Sequence, residues 1–206
     1  KLTRVKENMT NTLITLRPTA STRRAEEAIA NREKRLKVVE SKIIESEQFL
    51  NEIRTVKENQ MSWLDTSLAN SSAQWKIVFL HHAIFSSAYK KRGHGKDKDV
   101  LRLRKVLHEK FVRHKVDVVF GGHDHVFEKT KVQVSPVTNH KVTYITSGAG
   151  SKLREGDLDK KNWFFEFGED RKYSFLVVYL STNKMEIDVV DKQGKNIFPR
   201  FSISKP

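Results

Sequence analysis

Cysteine is absent from all 206 residues. Disulfide scaffolds, Cys-ligated zinc, iron–sulfur clusters and thiol nucleophiles are therefore excluded, because each needs that side chain. Any metal must sit on His, carboxylate or amide ligands. Long apolar runs are also missing. Those around Ile77–Leu80 and Phe175–Leu180 fall far short of the roughly 20 residues that span a bilayer, so a soluble chain with no membrane span is expected. Helix breakers are scarce: there are 4 Pro and 9 Gly in total, and none between Ser21 and Leu68. Negative charge is also in short supply, with 25 Asp+Glu against 39 Lys+Arg for a net +14. That surplus points to anionic partners without choosing among phosphate esters, nucleic acid and membrane surfaces. The chain starts at Lys1 with no initiator Met or apolar leader, which suggests a processed or excised piece.

Three compositional zones follow one another. Residues 1–20 hold one β-prone run, Asn11–Leu16, ended by Pro18. Residues 21–59 are rich in helix formers, with Ser21 or Thr22 placed to cap ahead of Glu26 and Glu27. Ile29, Leu36, Ile43 and Leu50 recur every seven residues, with Val39 and Ile53 between. One long helix, straight or bent once, is predicted, lying as an amphipathic element on its own domain or pairing with another helix. Residues 60–206 change texture. Apolar runs at Lys76–Leu80, Val116–Phe120, Thr143–Thr146, Tyr173–Leu180, Met185–Val190 and Ile197–Ile203 read as strands, and Lys98–His114 as a helix. Strand, helix, strand predicts a β-α-β unit, and the remainder a meander, so the class is α/β.

Two His groups directly follow predicted strands, where α/β sheets bind ligands. One is Leu80-His81-His82-Ala83-Ile84-Phe85-Ser86-Ser87, the other Phe120-Gly121-Gly122-His123-Asp124-His125. A single crossover between the strands would bring them together. In an extended chain His123 and His125 point the same way, with Gly121 and Gly122 permitting the turn that aims them. A lone His is ordinary in cores and on surfaces. Three at neighbouring strand ends point to a metal.

These residues resemble the calcineurin-like metallophosphoesterases, specifically the purple-acid-phosphatase-like branch. His81-His82-Ala83-Ile84-Phe85-Ser86 is similar to that family's His-x-Pro-x-Tyr-Ser block, with Ala83 in place of Pro. Gly122-His123-Asp124-His125-Val126-Phe127-Glu128-Lys129 is similar to Gly-His-x-His-x-Tyr-Glu-Arg, with Phe127 and Lys129 as departures. Gln60-Met61-Ser62-Trp63-Leu64 resembles the family's Gln-x-x-Trp-Leu helix, and Tyr144–Gly150 the loop after the second His block. The resemblance implies the C-terminal half of a four-layer α/β/β/α sandwich carrying a long helical insertion. It also implies that His81 and His123 bind one ion of a two-metal centre (Fe, Zn, Mn or Mg) and His125 the other, with His82 a neighbour. Such a pair clamps phosphoryl oxygens and activates a water.

The family's Asp-x-His, Gly-Asp-x-x-Asp/Tyr and Gly-Asn-His blocks have no counterpart here. Gly156-Asp157-Leu158-Asp159 has the wrong spacing, and Asn139-His140 lacks the glycine; both are expected to be loop residues. The chain is thus expected to supply one half-site, to be inactive alone, and to need the N-terminal half of the domain as a missing or separate segment. Charge bears on substrate. Residues Arg23–Glu58 hold nine Lys/Arg and eight Glu, whereas Tyr89–Lys115 hold eleven Lys/Arg against Asp97, Asp99 and Glu109. Lys90, Lys91, Arg92 and His94 are the candidates for capturing a phosphorylated substrate at the mouth of the site, or else a solvated surface. Two alternatives stand beside hydrolysis of phosphate mono- or diesters. One is a nucleic-acid-directed phosphodiesterase, weakened by the few aromatics in the basic stretch. The other is a non-catalytic module making protein contacts through the helical stripe. Family resemblance favours an exported or periplasmic location over a cytoplasmic one; the tripeptides at Asn8 and Asn70 match glycosylation sequons, which also occur by chance.

Overall fold

The computed structural model describes residues 23–91, 94–134 and 138–205. The strand expected at Asn11–Leu16 and the cap at Ser21/Thr22 lie outside them. The chain divides into two compact units, Lys1–Leu64 and Asp65–Pro206.

The first unit carries most of helix α1, Arg23–Asn70, which is unbroken over 48 residues. That corresponds to roughly 70 Å of helix at 1.5 Å per residue. Its continuity follows from the absence of Gly and Pro. The heptad positions Ile29, Leu36 and Ile43 are half-buried, whereas Leu50 and Ile53 are exposed, so the stripe changes character midway.

In the second unit six strands form one sheet in the order β1-β2-β5-β3-β6, with β4 beside β5, and three form another in the order β7-β8-β9. The strands are β1 Ile77–His82, β2 Val118–Gly122, β3 Phe127–Thr130, β4 Gln133–Val134, β5 Lys141–Ser147, β6 Phe165–Glu169, β7 Phe175–Leu180, β8 Lys184–Val190 and β9 Phe201–Ser204. Helix α2, Lys98–Arg113, crosses between β1 and β2. The pairs β1/β2 and β2/β5 are parallel, with Ile77 opposite Val118 and Phe120 opposite Ile145. The predicted β-α-β unit is therefore present, and β7-β8-β9 is the predicted meander.

Alternation along the strands builds two faces. Val118, Phe120, Phe127 and Ile145 of the larger sheet meet Met185, Ile187 and Val189 of β8 in one buried cluster, as the period of two requires. On the other face α2 buries Val100, Leu107 and Phe111, and His108 Nδ1 lies 2.7 Å from the Tyr144 hydroxyl on β5. Helix α2, the larger sheet and the smaller sheet thus stack in that order. The ends of both helices meet at Lys76, whose Nζ donates to the carbonyls of Leu68 (2.8 Å) and His114 (3.1 Å). A cation satisfies otherwise orphaned carbonyls there.

Three strands were not anticipated. The Phe127-Glu128-Lys129-Thr130 run reads as polar, yet all four residues are buried. It is tolerated between β5 and β6 because Lys129 pairs with Glu166 on β6 and Glu128 accepts a backbone N–H. The last strand starts at Phe201, later than expected from Ile197, because Pro199 has no N–H to offer a ladder.

Ile187 is fully buried between the sheets. Ile187→Ala is expected to lower unfolding free energy by about 2–5 kcal/mol, read as a shift of the urea midpoint at unchanged slope.

Candidate metal centre

The site lies at the carboxyl ends of β1 and β2. Parallel pairing sets Leu80 opposite Gly121 and His82 opposite Gly122, which brings the two His segments side by side. His81 Nε2 and His123 Nδ1 are 2.9 Å apart. His81, His82 and His123 each offer a ring nitrogen, all within 4.8 Å of one another. His123 is the hub: its ring centroid is 4.9 Å from that of His81, 4.2 Å from His82 and 4.3 Å from His94.

The two glycines act differently from expectation. A Cβ on Gly121 would fall 2.7 Å from the Ala83 Cα, so Gly121 permits close approach of the two segments, whereas one on Gly122 would meet only ordinary contact. The left-handed conformation falls on His123 itself, at φ 66°. That is unusual for a side chain this large and concentrates at functional positions. Two short backbone bonds hold it, Asp124 N–H to Gly122 O (2.7 Å) and Val126 N–H to Asp124 O (2.8 Å). The chain therefore turns where an extended one was expected, and simple alternation does not aim His123 and His125.

His125 lies outside the nitrogen cluster. Its Nδ1 is buried without a hydrogen-bond partner. Partial burial lowers the proton affinity of both His123 and His125; His82 and His94 add to the effect at His123, and Arg154 and Lys152 at His125. Neutral imidazoles with available lone pairs are what a cation needs. The 2.9 Å between His81 Nε2 and His123 Nδ1 is a hydrogen-bond distance, and the nitrogens of His81, His82 and His123 lie close enough together for one ion to reach all three. The residues present fit a metal, His125 through its orphaned nitrogen.

Of the other candidates, His94 joins the site. The chain folds back after Ser86, with Gly95 pressed against the Ser86 carbonyl where a Cβ would be 2.1 Å away. The buried Asp124 accepts from the His94 backbone N–H at 2.9 Å and lies 3.3 Å from its Nδ1. Lys90 and Lys91 turn towards the 155–159 loop: Lys90 Nζ is 3.9 Å from Asp159, and Lys91 Nζ donates to the Glu155 carbonyl at 2.6 Å. Arg92 lies outside the described residues. Asp157 and His140 are structural, Asp157 accepting the Lys91 N–H at 2.7 Å and His140 Nε2 meeting the Val116 carbonyl at 2.7 Å.

The sequence reading passed over two groups. Asp124, between the two histidines, orients His94. Beneath the site the wholly buried Glu128 accepts the Ser87 N–H at 2.8 Å, joining the second His segment to the first. Its other oxygen is unpartnered, as are Ser87 Oγ and Arg104 Nη2. Both residues stood within the quoted motifs, but nothing in their spacing marked them.

Comparison with known proteins bears on the family. A family model described as calcineurin-like phosphoesterase matches residues 24–127, and the chain belongs to that family. Within it the likeness is to purple acid phosphatases. The chain is 32% identical to purple acid phosphatase 4 of Arabidopsis thaliana over 139 residues, covering 65% of this chain and 36% of that one. It is 36% identical to purple acid phosphatase 17 of the same plant over 96 residues, covering 47% and 25%. The chain thus spans about a third or less of the length of these relatives. Among solved structures, a purple acid phosphatase from yellow lupin (Lupinus luteus) superposes with TM-score 0.60 at 17% identity, over 70% of this chain and 28% of that one. GAP50, described as the anchor in the inner membrane complex of Plasmodium, superposes with TM-score 0.58 at 26% identity, over 74% and 44%. Among the described residues no helix is long and apolar enough to cross a membrane.

Burial pushes the Glu128 carboxyl up to about 7, against 4.5 ordinarily. The folded state then holds a proton that the unfolded state has released, so stability falls as pH rises from about 4.5 to 7 and levels off above. Between pH 5 and 8 the loss should approach about 3 kcal/mol. Glu128→Gln is expected to flatten that slope in denaturant titrations.

Proposed function

We propose that the chain contributes the histidine side of a two-metal phosphoesterase centre that hydrolyses phosphate mono- or diesters. The observation that carries this reading is the His81–His123 nitrogen pair, 2.9 Å apart at adjoining strand ends. His81 and His123 would hold one ion and His125 the other. Bound ions of this kind polarise phosphoryl oxygens and lower the pKa of a coordinated water. The protein's own share is orientation. Gly121 lets the two His segments touch, the turn at His123 aims its ring, and Asp124 holds His94 with Nδ1 towards its carboxylate, while Nε2 lies 3.9 Å from Asp97.

The described donors at the site are nitrogen-rich, whereas hard cations favour carboxylate oxygen. Asp124 is already engaged with His94. Carboxylate ligands would therefore come from a further segment, the N-terminal half of such a domain. Strand β1 ends the larger sheet, and Phe79 on it is 76% exposed, so its edge offers that segment a place to pair. An exported or periplasmic location suits the exposed sequon at Asn70.

A second reading has its own support. The likeness to GAP50, whose description is that of an anchor, and the exposed Phe49, Leu50, Ile53 and Val56 of α1 favour a protein-contact module that does not depend on catalysis. Metal binding separates the two.

Isothermal titration with Zn²⁺ or Mn²⁺ is expected to show at least about tenfold weaker binding for His81→Ala and His123→Ala, and a smaller loss for His82→Ala. A loss at His82 equal to that at His123 would shift the ligand set to the His81, His82, His123 trio. Absence of binding by the unaltered chain would favour the contact module.

A further inference from the structure

Beside His125 lies an open cavity of about 640 Å³ that none of the phosphoester motifs includes, within the size range of small-molecule sites. Its charged lining is Lys152, Arg171, Lys172 and Lys192 against Glu155 and Asp191. Among the described residues no carboxylate lies within ion-pairing distance of the four cations, and Asp191 Oδ1 accepts the N–H groups of Gln193 and Lys195 at 2.9 Å each. Four cations against two carboxylates leave the cavity a net positive charge, gathered from three separate loops.

The position is set by the segment after β5. A Cβ on Gly148 would fall 2.0 Å from the Asp124 carbonyl. Gly148 N–H donates to Val126 O at 3.0 Å, and Arg154 N–H to His125 O at 3.2 Å. This loop thus wraps the His125 turn, and Lys152, two residues from Arg154, has its Cα within about 7 Å of a residue bonded to His125.

We propose that this basin is a subsite for an oligophosphate chain, holding the phosphates next to the one that is cleaved. The inference rests on the phosphoester reading for what happens at the histidines. The binding it predicts does not need a metal. Each lysine or arginine can make a charge-assisted bond to a phosphate oxygen, and a chain of linked phosphates can meet more of the four cations than a single orthophosphate. Substrates with two or more linked phosphates are favoured over simple monoesters. Tyr173 in the same wall offers a ring face to a nucleoside.

Isothermal titration in EDTA tests this with tripolyphosphate, ATP and orthophosphate. Tripolyphosphate is expected to bind at least about tenfold more tightly than orthophosphate, and Lys152→Glu/Lys192→Glu to weaken it at least about tenfold. Lys105→Glu/Lys141→Glu, the same charge change at exposed positions elsewhere, should cost no more than about threefold. Equal losses in the two double variants, or no preference over orthophosphate, overturns the proposal. Tyr173→Ala separates the sources: selective weakening of ATP marks a nucleoside oligophosphate, and equal affinities before and after mark the inorganic chain. His123→Ala should retain tripolyphosphate binding while losing metal, so failure of the metal reading is distinguishable from failure of this one.

Discussion

The site depends on one close backbone approach. With residue 121 lacking a side chain, the end of β2 packs against Ala83, where a Cβ would lie only 2.7 Å from the Ala83 Cα. Everything at the histidines follows from that contact. Parallel register carries Leu80 and Gly121 to the same level, the chain beyond Gly122 must turn at once, and the turn is made at His123 in a conformation that costs on the order of 1–3 kcal/mol. Two bonds of 2.7 and 2.8 Å to neighbouring carbonyls hold the turn, and four imidazoles crowd within ring contact as a result. The crowding of the rings and the strain at His123 thus have the same origin.

A second tie lies underneath. Glu128 is wholly buried, bonded to the amide of Ser87, and short of a partner on its other oxygen. Burying a carboxylate this way is unfavourable unless it is protonated or opposed by charge. Arg104 supplies part of the opposing field while its Nε bonds the Ile84 carbonyl at 2.5 Å and its guanidinium lies 4.5 Å from the Phe85 ring centre. One arginine from α2 thus fixes the segment after His82 and tempers the acid that links it to the second His segment. The two sequence blocks are coupled through the core as well as through their exposed ends.

Much of this was legible from sequence. Apolar runs of strand length placed β1, β2, β5, β7 and β8, and the residues between β1 and β2 required a crossover, because parallel strands cannot be joined by a tight turn. His81 and His123 could be paired on that basis. Strand β3 could not, since its buried Glu128 and Lys129 are acceptable only through partners distant in sequence, Ser87 and Glu166. The turn at His123 was hidden for a related reason: two adjacent glycines attract the expectation of unusual backbone angles, yet steric pressure from Ala83 uses Gly121 for space and passes the left-handed angle on. His94 was singled out for its neighbourhood of charge, but its actual place is due to Asp124 and to Gly95, neither of which advertises itself.

Charge shows how composition and geometry part company. The surplus between Tyr89 and Lys115 sits directly after the first His segment in sequence, which makes Lys90 and Lys91 obvious candidates to meet a phosphate. The fold assigns them elsewhere. Asp157 takes three backbone amides from residues 89–91, two on its carbonyl at 3.2 Å and one on its carboxylate at 2.7 Å, and Tyr89 bonds Asp159 at 2.5 Å. Residues 87–91 are thereby fastened along the 155–159 loop, so Lys90 faces Asp159 and Lys91 the Glu155 carbonyl, and His94 is the residue that meets the histidines. The cations of the basin, Lys152, Arg171, Lys172 and Lys192, come from other loops, which hold fewer basic residues and pair none of these four with a carboxylate among the described residues. For attracting an anion the relevant quantity is charge left unpaired within reach of the site, and pairing through loop packing determines it more than local abundance does.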